Sequence, residues 1–216
     1  MPACHRLYTL CHDRYFVSMS FRSRSYHHGD LRATLLQRAE VTLRESGVDG
    51  LSLRQLARDA GVSHAAPSRH FRDKQALLDA LALSGFERLA EVYQGAAVAG
   101  TFAERLHAIA RAYLTFAIEN PELLAVMFAR KHSPDPGAEM AAAVAKAFAV
   151  PMAAIAEGQA RGEVAAGDPM RIGMPAVAAL QGLATFVGSG FVAAENLDEL
   201  LADTIGQLMV GLRPRD

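Results

Sequence analysis

LSLRQLARDAGVSHAAPSRHF, residues 51–71, decides how the front of this chain is read. Its first half places Leu53, Leu56 and Ala57 at i, i+3 and i+4, one apolar stripe on a short helix. Gly61 and Val62 interrupt that pattern, and from Ser63 to His70 the residues are small or polar until Phe71. A helix, a short turn and a second helix make the corner that lays its second helix in a DNA major groove while the first braces it. Ala57 is small where the two helices cross, Gly61 tolerates the backbone angles of the corner, and Val62 and Phe71 pin the second helix from below. Residues 63–70 are poor in core because their outer surface faces a partner. Pro67 fits a first turn and not a helix interior, which moves the expected start of that helix toward Ala65 or Ala66.

Outward from the corner, Asp30 is the expected cap of a first helix to about Ser46, with Leu35, Leu36, Ala39 and Leu43 inward and Gly47 in the left-handed position that ends it. Ser52 is the expected cap of the second helix, its hydroxyl satisfying first-turn N–H groups, and Ser63 that of the third. Asp73 caps a fourth helix to about Tyr93 that carries Leu77, Leu78, Leu81 and Leu89 inward. Ser52, Arg54, Ser63 and Lys74 lie at or near helix starts, where side chains and free N–H groups hold phosphates. His64, Ser68, Arg69 and His70, with Ala65 and Ala66 among them, form the face that reaches phosphates or base edges, and arginine is the best guanine reader of the set. Ahead of the first helix, Arg22, Arg24, Tyr26, His27 and His28 form an arm that lies along the backbone or enters a minor groove.

The bulk chemistry agrees with a chain that meets an anion at one end. Its net charge is only -1, yet residues 19–79 hold 10 Lys/Arg against 7 Asp/Glu while residues 80–216 hold 10 against 15. Apolar residues make up 51%, enough for a sizeable core and too many for a disordered chain. The two cysteines, Cys4 and Cys11, sit in a segment without periodicity, so no disulfide framework is expected and a reducing cytoplasm is. Each cysteine adjoins a histidine, but adjacent pairs are not the spaced knuckles of a zinc site, and neither metal nor cofactor is expected. Residues 1–25 read as a flexible leader, with Met19 as a candidate start and no signal-peptide pattern. No run is expected to reach membrane-spanning length, since Asp168 and Arg171 flank the most apolar late segment and glycines interrupt it.

Beyond a boundary at Gly95–Gly100 the pattern stays helical, at about 101–119, 121–131, 138–161, 169–189 and 195–211. Tyr113, Phe116, Met127, Phe128, Phe148, Met152 and Phe186 fall on different helices and line an expected apolar pocket, with His107 and Gln181 as its polar points. Core packing is the alternative role for each of them. Ala176, Ala178, Ala179, Gly182, Ala184, Gly188 and Gly190 permit close backbone approach within the chain. The fold expected is all-α, with a three-helix head over residues 26–94 and a helical body over residues 101–212.

Taken jointly, Tyr26-His-His-Gly-Asp-Leu-Arg32, Leu53-Arg-Gln-Leu-Ala57, Ala60-Gly-Val-Ser63, His70-Phe71 and Asp73-Lys-Gln-Ala-Leu-Leu78 resemble the N-terminal domain of TetR-family transcriptional regulators. That resemblance implies a homodimer with a four-helix seam made from about residues 170–189 and 196–211 of both copies, a helix-turn-helix head whose third helix reads a palindromic double-stranded DNA operator, Lys74 on a phosphate, a connecting fourth helix, and a C-terminal domain for a small apolar effector. Many members carry a tyrosine where this chain has Ser68. The rear half resembles the WHG-type ligand domain in Phe116-Ala-Ile-Glu-Asn-Pro121, Met127-Phe128 and Gln181-Gly-Leu183, with Gln181 where that subgroup has histidine. A repressor released by its ligand is the expected function, and a DNA-binding factor without a ligand is the alternative. Catalysis is not expected, because no nucleophile elbow, Gly-rich phosphate loop or HExxH motif occurs.

Overall fold

The computed structural model of the chain describes residues 31–96, 99–131 and 137–214. Among them the chain is all-α: α1 (Leu31–Ser46), α2 (Leu53–Asp59), a 3-10 turn (Pro67–Arg69), α3 (Lys74–Ala96), α4 (Phe102–Glu119), α5 (Pro121–Lys131), α6 (Gly137–Ala160), α7 (Pro169–Gly188), a second 3-10 turn (Ala194–Asn196) and α8 (Leu197–Leu212). The expected cap Asp30, the arm residues Tyr26 and His28, and the cysteines lie outside the described residues.

Local chemistry sets most of the helix ends. Asp73 Oδ1 accepts from Ala76 N at 2.8 Å, and Asp168 Oδ1 accepts from Met170 N at 3.0 Å ahead of Pro169 in the first turn of α7. Thr101 and Glu104 form a reciprocal capping box at α4, and Gly47 closes α1 with a φ of 65°. Ser52 departs from expectation. It occupies the cap position of α2 in extended backbone, but its hydroxyl makes no capping bond.

α3 is the spine. Leu77, Leu81, Phe86, Leu89 and Tyr93 are buried along it, and α1, α4, α5 and α6 all pack against it. Gly85 lets α5 approach, since a Cβ there would meet Met127 Sδ at 2.5 Å. Gly173 does the same between α7 and α6, where a Cβ would meet Ile155 Cδ1 at 2.9 Å. Of the alanines clustered at 138–149, only Ala143 and Ala147 pack into the core, and the others lie exposed on the opposite side of α6.

Two helices, Gly137–Ala160 and Pro169–Gly188, are long and apolar enough to cross a membrane, which corrects the expectation that no run has that length. Asp168 and Arg171 stand at the very start of α7 and leave behind them a stretch without charge, interrupted by the polar Gln181 and Thr185. α6 turns Met140, Phe148 and Ile155 into the core, whereas α7 buries only Gly173, Ala176, Leu180 and Ala184. Met170, Met174 and Phe186 of α7 remain exposed, as does Val210 of α8.

Candidate nucleic-acid interface and interior cavity

The corner closes on backbone bonds that its residue types require. Gly61 N donates to Arg58 O at 3.0 Å and Val62 N to Ala57 O at 3.0 Å, the paired bonds of a helix end with a left-handed residue, here Gly61 at φ 67°. The chain then turns back across α2. The expected recognition helix over 63–70 is not an α-helix: Ser63, His64, Ala65 and Ala66 form a turn, and Pro67–Arg69 is 3-10. Proline is the reason. Pro67 has no N–H to give Ser63 O, which accepts instead from Ala66 N at 2.9 Å, and the tighter i to i+3 pattern continues from Arg69 N to Ala66 O at 3.2 Å. Phe71 N restores the i to i+4 spacing by donating to Pro67 O at 2.8 Å.

Pro67 also does what the sequence reading assigned to Val62 and Phe71 alone. It is buried beneath the segment together with Phe71, which is 2% exposed, while Val62 and Ala66 are half-buried. Ser63, His64, Ala65, Ser68, Arg69 and His70 all face outward. Ser52 and Arg54 are exposed beside them, and Lys74 is half-buried at the first turn of α3. Side-chain bonding separates the cations of this surface. Arg72 pairs with Asp73 at 3.3 Å and Arg58 donates to the neutral Gln55, whereas Arg54, Arg69 and Lys74 have neither an ion pair nor a side-chain hydrogen bond among the described residues. Three cations left unmatched around an exposed polar segment are what a phosphate backbone needs. Arg32, which the sequence reading placed in a motif without a role, lies over the Phe71 ring at 5.7 Å and ties α1 to the segment.

The expected pocket residues do not converge on one cavity. Phe148 and Met152 line a cavity of about 50 Å³ between α3, α4, α6 and α7, with Tyr93, Phe102, Ile109, Ala176 and Leu180. Tyr113 is buried and donates its hydroxyl proton to Gln181 Oε1, a short bond that joins α4 to α7. Burial pushes the Tyr113 phenol up to about 12; Tyr93 is pushed up too, by burial first and by the neighbouring Tyr113 second. Phe116 is buried on a different side of α4, Met127 is buried against Gly85, and Phe128 is half-buried on α5. Phe186 is 47% exposed and stacks at 5.1 Å on Phe191, itself 78% exposed, so it lies on the surface. His107 is half-buried on α4 and does not line the cavity. Helical periodicity puts these residues on apolar stripes, but which stripe faces which neighbour depends on how the helices cross.

Comparison with known proteins matches this geometry. Residues 35–81 match the model for bacterial regulatory proteins of the tetR family, and residues 106–208 match the tetracyclin repressor-like C-terminal domain. The chain belongs to the TetR family. Over 49 residues it is 53% identical to the tetracycline repressor protein class A from transposon 1721 of Escherichia coli, 23% of each chain. Over 142 residues it is 31% identical to an HTH-type transcriptional regulator of Mycobacterium tuberculosis, 62% of this chain and 59% of the relative. The chain therefore spans less than two thirds of the length of either relative. A solved structure of a protein with unknown function from Rhodococcus sp. RHA1 superimposes with a TM-score of 0.79 at 45% identity, covering 88% of this chain and 98% of that one.

One feature of this TetR chain had no signal in the sequence. Arg88 on α3 donates to Glu40 Oε2 of α1 at 3.0 Å and to Asn120 Oδ1, at the α4–α5 junction, at 3.0 Å, and its guanidinium lies 5.7 Å from the Phe116 ring centroid. Below it, Arg130 of α5 pairs with Asp79 of α3 at 2.6 Å. Arg88, between the two matched regions, thus ties Glu40 of the first to Asn120 of the second, and the Arg130–Asp79 pair joins the two regions directly. The partners of Arg88 lie 48 and 32 residues away in the chain, beyond any local pattern.

Proposed function

We propose that this TetR-family chain is a homodimeric, sequence-specific transcriptional repressor, released from a palindromic operator when a small apolar ligand enters its helical body. The observation that carries the DNA half is the outward face of residues 63–70, seated on Pro67 and Phe71 and ringed by the unpaired Arg54, Arg69 and Lys74. In this reading Arg69 and His64 discriminate bases, while Arg54, Lys74, Ser52 and Ser63 hold phosphates. Ser68, His70, Ala65 and Ala66 complete the contact face, and Tyr26 and His28 belong to an arm reaching the adjacent groove. The head is taken as residues 26–94 and the body as residues 101–212. The repressor sign is supported by the local similarity to a tetracycline repressor.

A dimer is supported by the apolar residues that α7 and α8 leave uncovered, Met170, Met174, Phe186 and Val210. Two heads related by a two-fold axis read half-sites one DNA turn apart. The switch is supported by the continuity of α3, which has Lys74 at one end and Tyr93 near the other. Its 23 residues span about 34 Å, so a displacement at the cavity is carried to the head by one rigid element. The alternative of a ligand-independent DNA-binding factor is favoured by one observation, the small volume of the cavity, about 50 Å³.

Selection of bound genomic fragments by the full chain, followed by footprinting, tests the reading. The expected result is a palindromic site with half-site centres one turn apart, protected at nanomolar protein. Uniform affinity for all duplexes would overturn sequence-specific recognition, and a fully occupied cavity with unchanged operator affinity would leave only the ligand-independent reading.

A further inference from the structure

We infer that Arg32 of α1 holds a backbone phosphate of the DNA, and that its seat over Phe71 makes it a positioning residue for the segment that reads the bases. This rests on the reading of residues 63–70 as the DNA face, and it adds a contact from a different helix.

The first observation is where the guanidinium sits. Arg32 is the second residue of α1, is exposed, and has its Cζ 5.7 Å from the centroid of the Phe71 ring. Phe71 directly follows His70, is 2% exposed, and its backbone N donates to Pro67 O at 2.8 Å. The ring is therefore anchored in the same turn that carries Arg69, and Lys74 opens α3 just past it. A cation over an aromatic face is held by the ring quadrupole without the use of an N–H. The N–H groups of arginine lie in a planar fork, and a pair of them matches two oxygens of one phosphate. The ring thus places Arg32 and leaves its donors for a ligand.

The second observation is that those donors stay open while the charges around them are matched. Arg32 has neither an ion pair nor a side-chain hydrogen bond among the described residues. In the groove it lines, Arg72 pairs with Asp73 at 3.3 Å and Asp79 with Arg130 at 2.6 Å. Glu139, in the first turn of α6, lines the same groove and makes no ion pair with Arg32, as a tie from α1 to α6 would require. Phosphate contacts set the register of a protein on the duplex. One side chain that holds both a phosphate and Phe71 fixes the height of the turn above the bases, and with it the reach of Arg69 and His64. Lysine supplies the charge but neither the fork nor the flat face that packs on a ring.

The test uses the full chain with two duplexes: the tightest-bound one from genomic selection, and a scrambled one of equal length and composition. Affinities are read by anisotropy at several salt concentrations, with a thermal melt of each variant. Arg32→Gln is expected to lower the salt slope by about one unit on both duplexes and to weaken the selected one about tenfold. Arg32→Lys is expected to hold the slope within about 0.3 units while narrowing the preference for the selected duplex at least about threefold. Arg72→Gln, in the same groove but already paired, is expected to leave slope and preference unchanged, and all three are expected to melt within a few degrees of the native chain. An unchanged slope in Arg32→Gln, with or without a lower melting temperature, would overturn the phosphate contact and leave Arg32 a structural tie. An equal drop in Arg72→Gln would overturn it too, by showing a diffuse charge effect. An unchanged preference in Arg32→Lys would overturn the positioning role. If Arg32→Gln does not fold, the preference of Arg32→Lys decides. Uniform affinity of the native chain for both duplexes would instead overturn the DNA reading on which this inference rests.

Discussion

Replacing Arg88 by methionine keeps an apolar stem against Phe116 and removes the guanidinium that links α1, α3 and the α4–α5 junction. Two hydrogen bonds go with it, each 3.0 Å, to Glu40 and to Asn120. A unit charge pair at about 4 Å is worth roughly 4 kcal/mol at an effective dielectric of 20, before desolvation and side-chain ordering are subtracted. The Arg88 side chain is 38% exposed and that of Glu40 24%, so the pair lies between the exposed and the buried case. Exposed pairs contribute about 0–1 kcal/mol, and breaking a fully buried one costs about 3–5 kcal/mol. The expected loss for Arg88→Met is therefore about 2 kcal/mol, or a melting temperature lower by about 4–8 °C for a chain of this length. Asn120, 9% exposed, keeps its own bond to Phe116 O at 2.9 Å, which limits the damage at that end. A double-mutant cycle with Glu40→Gln, by urea denaturation at one fixed protein concentration, isolates the ion pair. The coupling expected at low salt is about 1 kcal/mol, shrinking in about 1 M salt. Additivity of the two changes within about 0.3 kcal/mol at low salt would refute the assignment of Arg88 as the cross-link.

Lys74→Ala is expected to weaken binding to every duplex alike and to lower the salt slope of affinity by about one unit, read by anisotropy at several salt concentrations; an unchanged slope would remove Lys74 from the phosphate contacts. Gly158→Ala brings a Cβ within 2.7 Å of Val164 Cγ2 and 3.0 Å of Phe102 Cδ2, stiff neighbours, and is expected to cost about 1–3 kcal/mol. Gly85→Ala meets Met127 at Sδ, 2.5 Å, and at Cγ, 2.8 Å, in a fully buried side chain, and the roughly 0.5–1 kcal/mol gained in helix preference offsets only part of the overpacking, so a lower melting temperature is expected. Alkaline pH reports on the buried phenols: an unfolded tyrosine titrates near about 10, and the folded Tyr113 is pushed up to about 12 with Tyr93 raised as well. The folded state holds those protons more tightly, so this stability is complete below about pH 10 and drains away as pH rises towards about 12. A Tyr93→Phe, Tyr113→Phe chain should lose less urea resistance between about pH 9.5 and 11.5 than the native chain, and equal losses would count against the burial account.

Helix positions were legible because their causes are local. Asp73 and Pro121 announce helix starts with their own side chains, and Gly47 and Gly61 announce ends through the left-handed backbone that glycine alone adopts easily. The outward face of residues 63–70 was legible for the same reason, since a run without large apolar side chains has nothing to bury. The form of that segment was legible only in part. Pro67 signalled an interrupted helix, but its burial, which makes it an anchor as well as a breaker, depends on α2 and Phe71 lying beneath it.

Nothing local distinguishes the fates of Phe148 and Phe186, both aromatic, both on apolar helices and both expected in one pocket. Phe148 lines the cavity because α6 packs on α3 with that face inward, while Phe186 sits near the end of α7, past Ala184, the last of its buried residues, and meets solvent and Phe191. The period of a helix determines which residues share a stripe, but the rotation and crossing of each helix, set by the summed packing of all its neighbours, decide what the stripe faces. The same holds for polar groups. The sequence by itself determined an all-α chain with a corner made for DNA; only the tertiary structure could bring Arg88 to Glu40 and Asn120 across 48 and 32 residues, and bury Tyr93 of α3 near Tyr113 of α4.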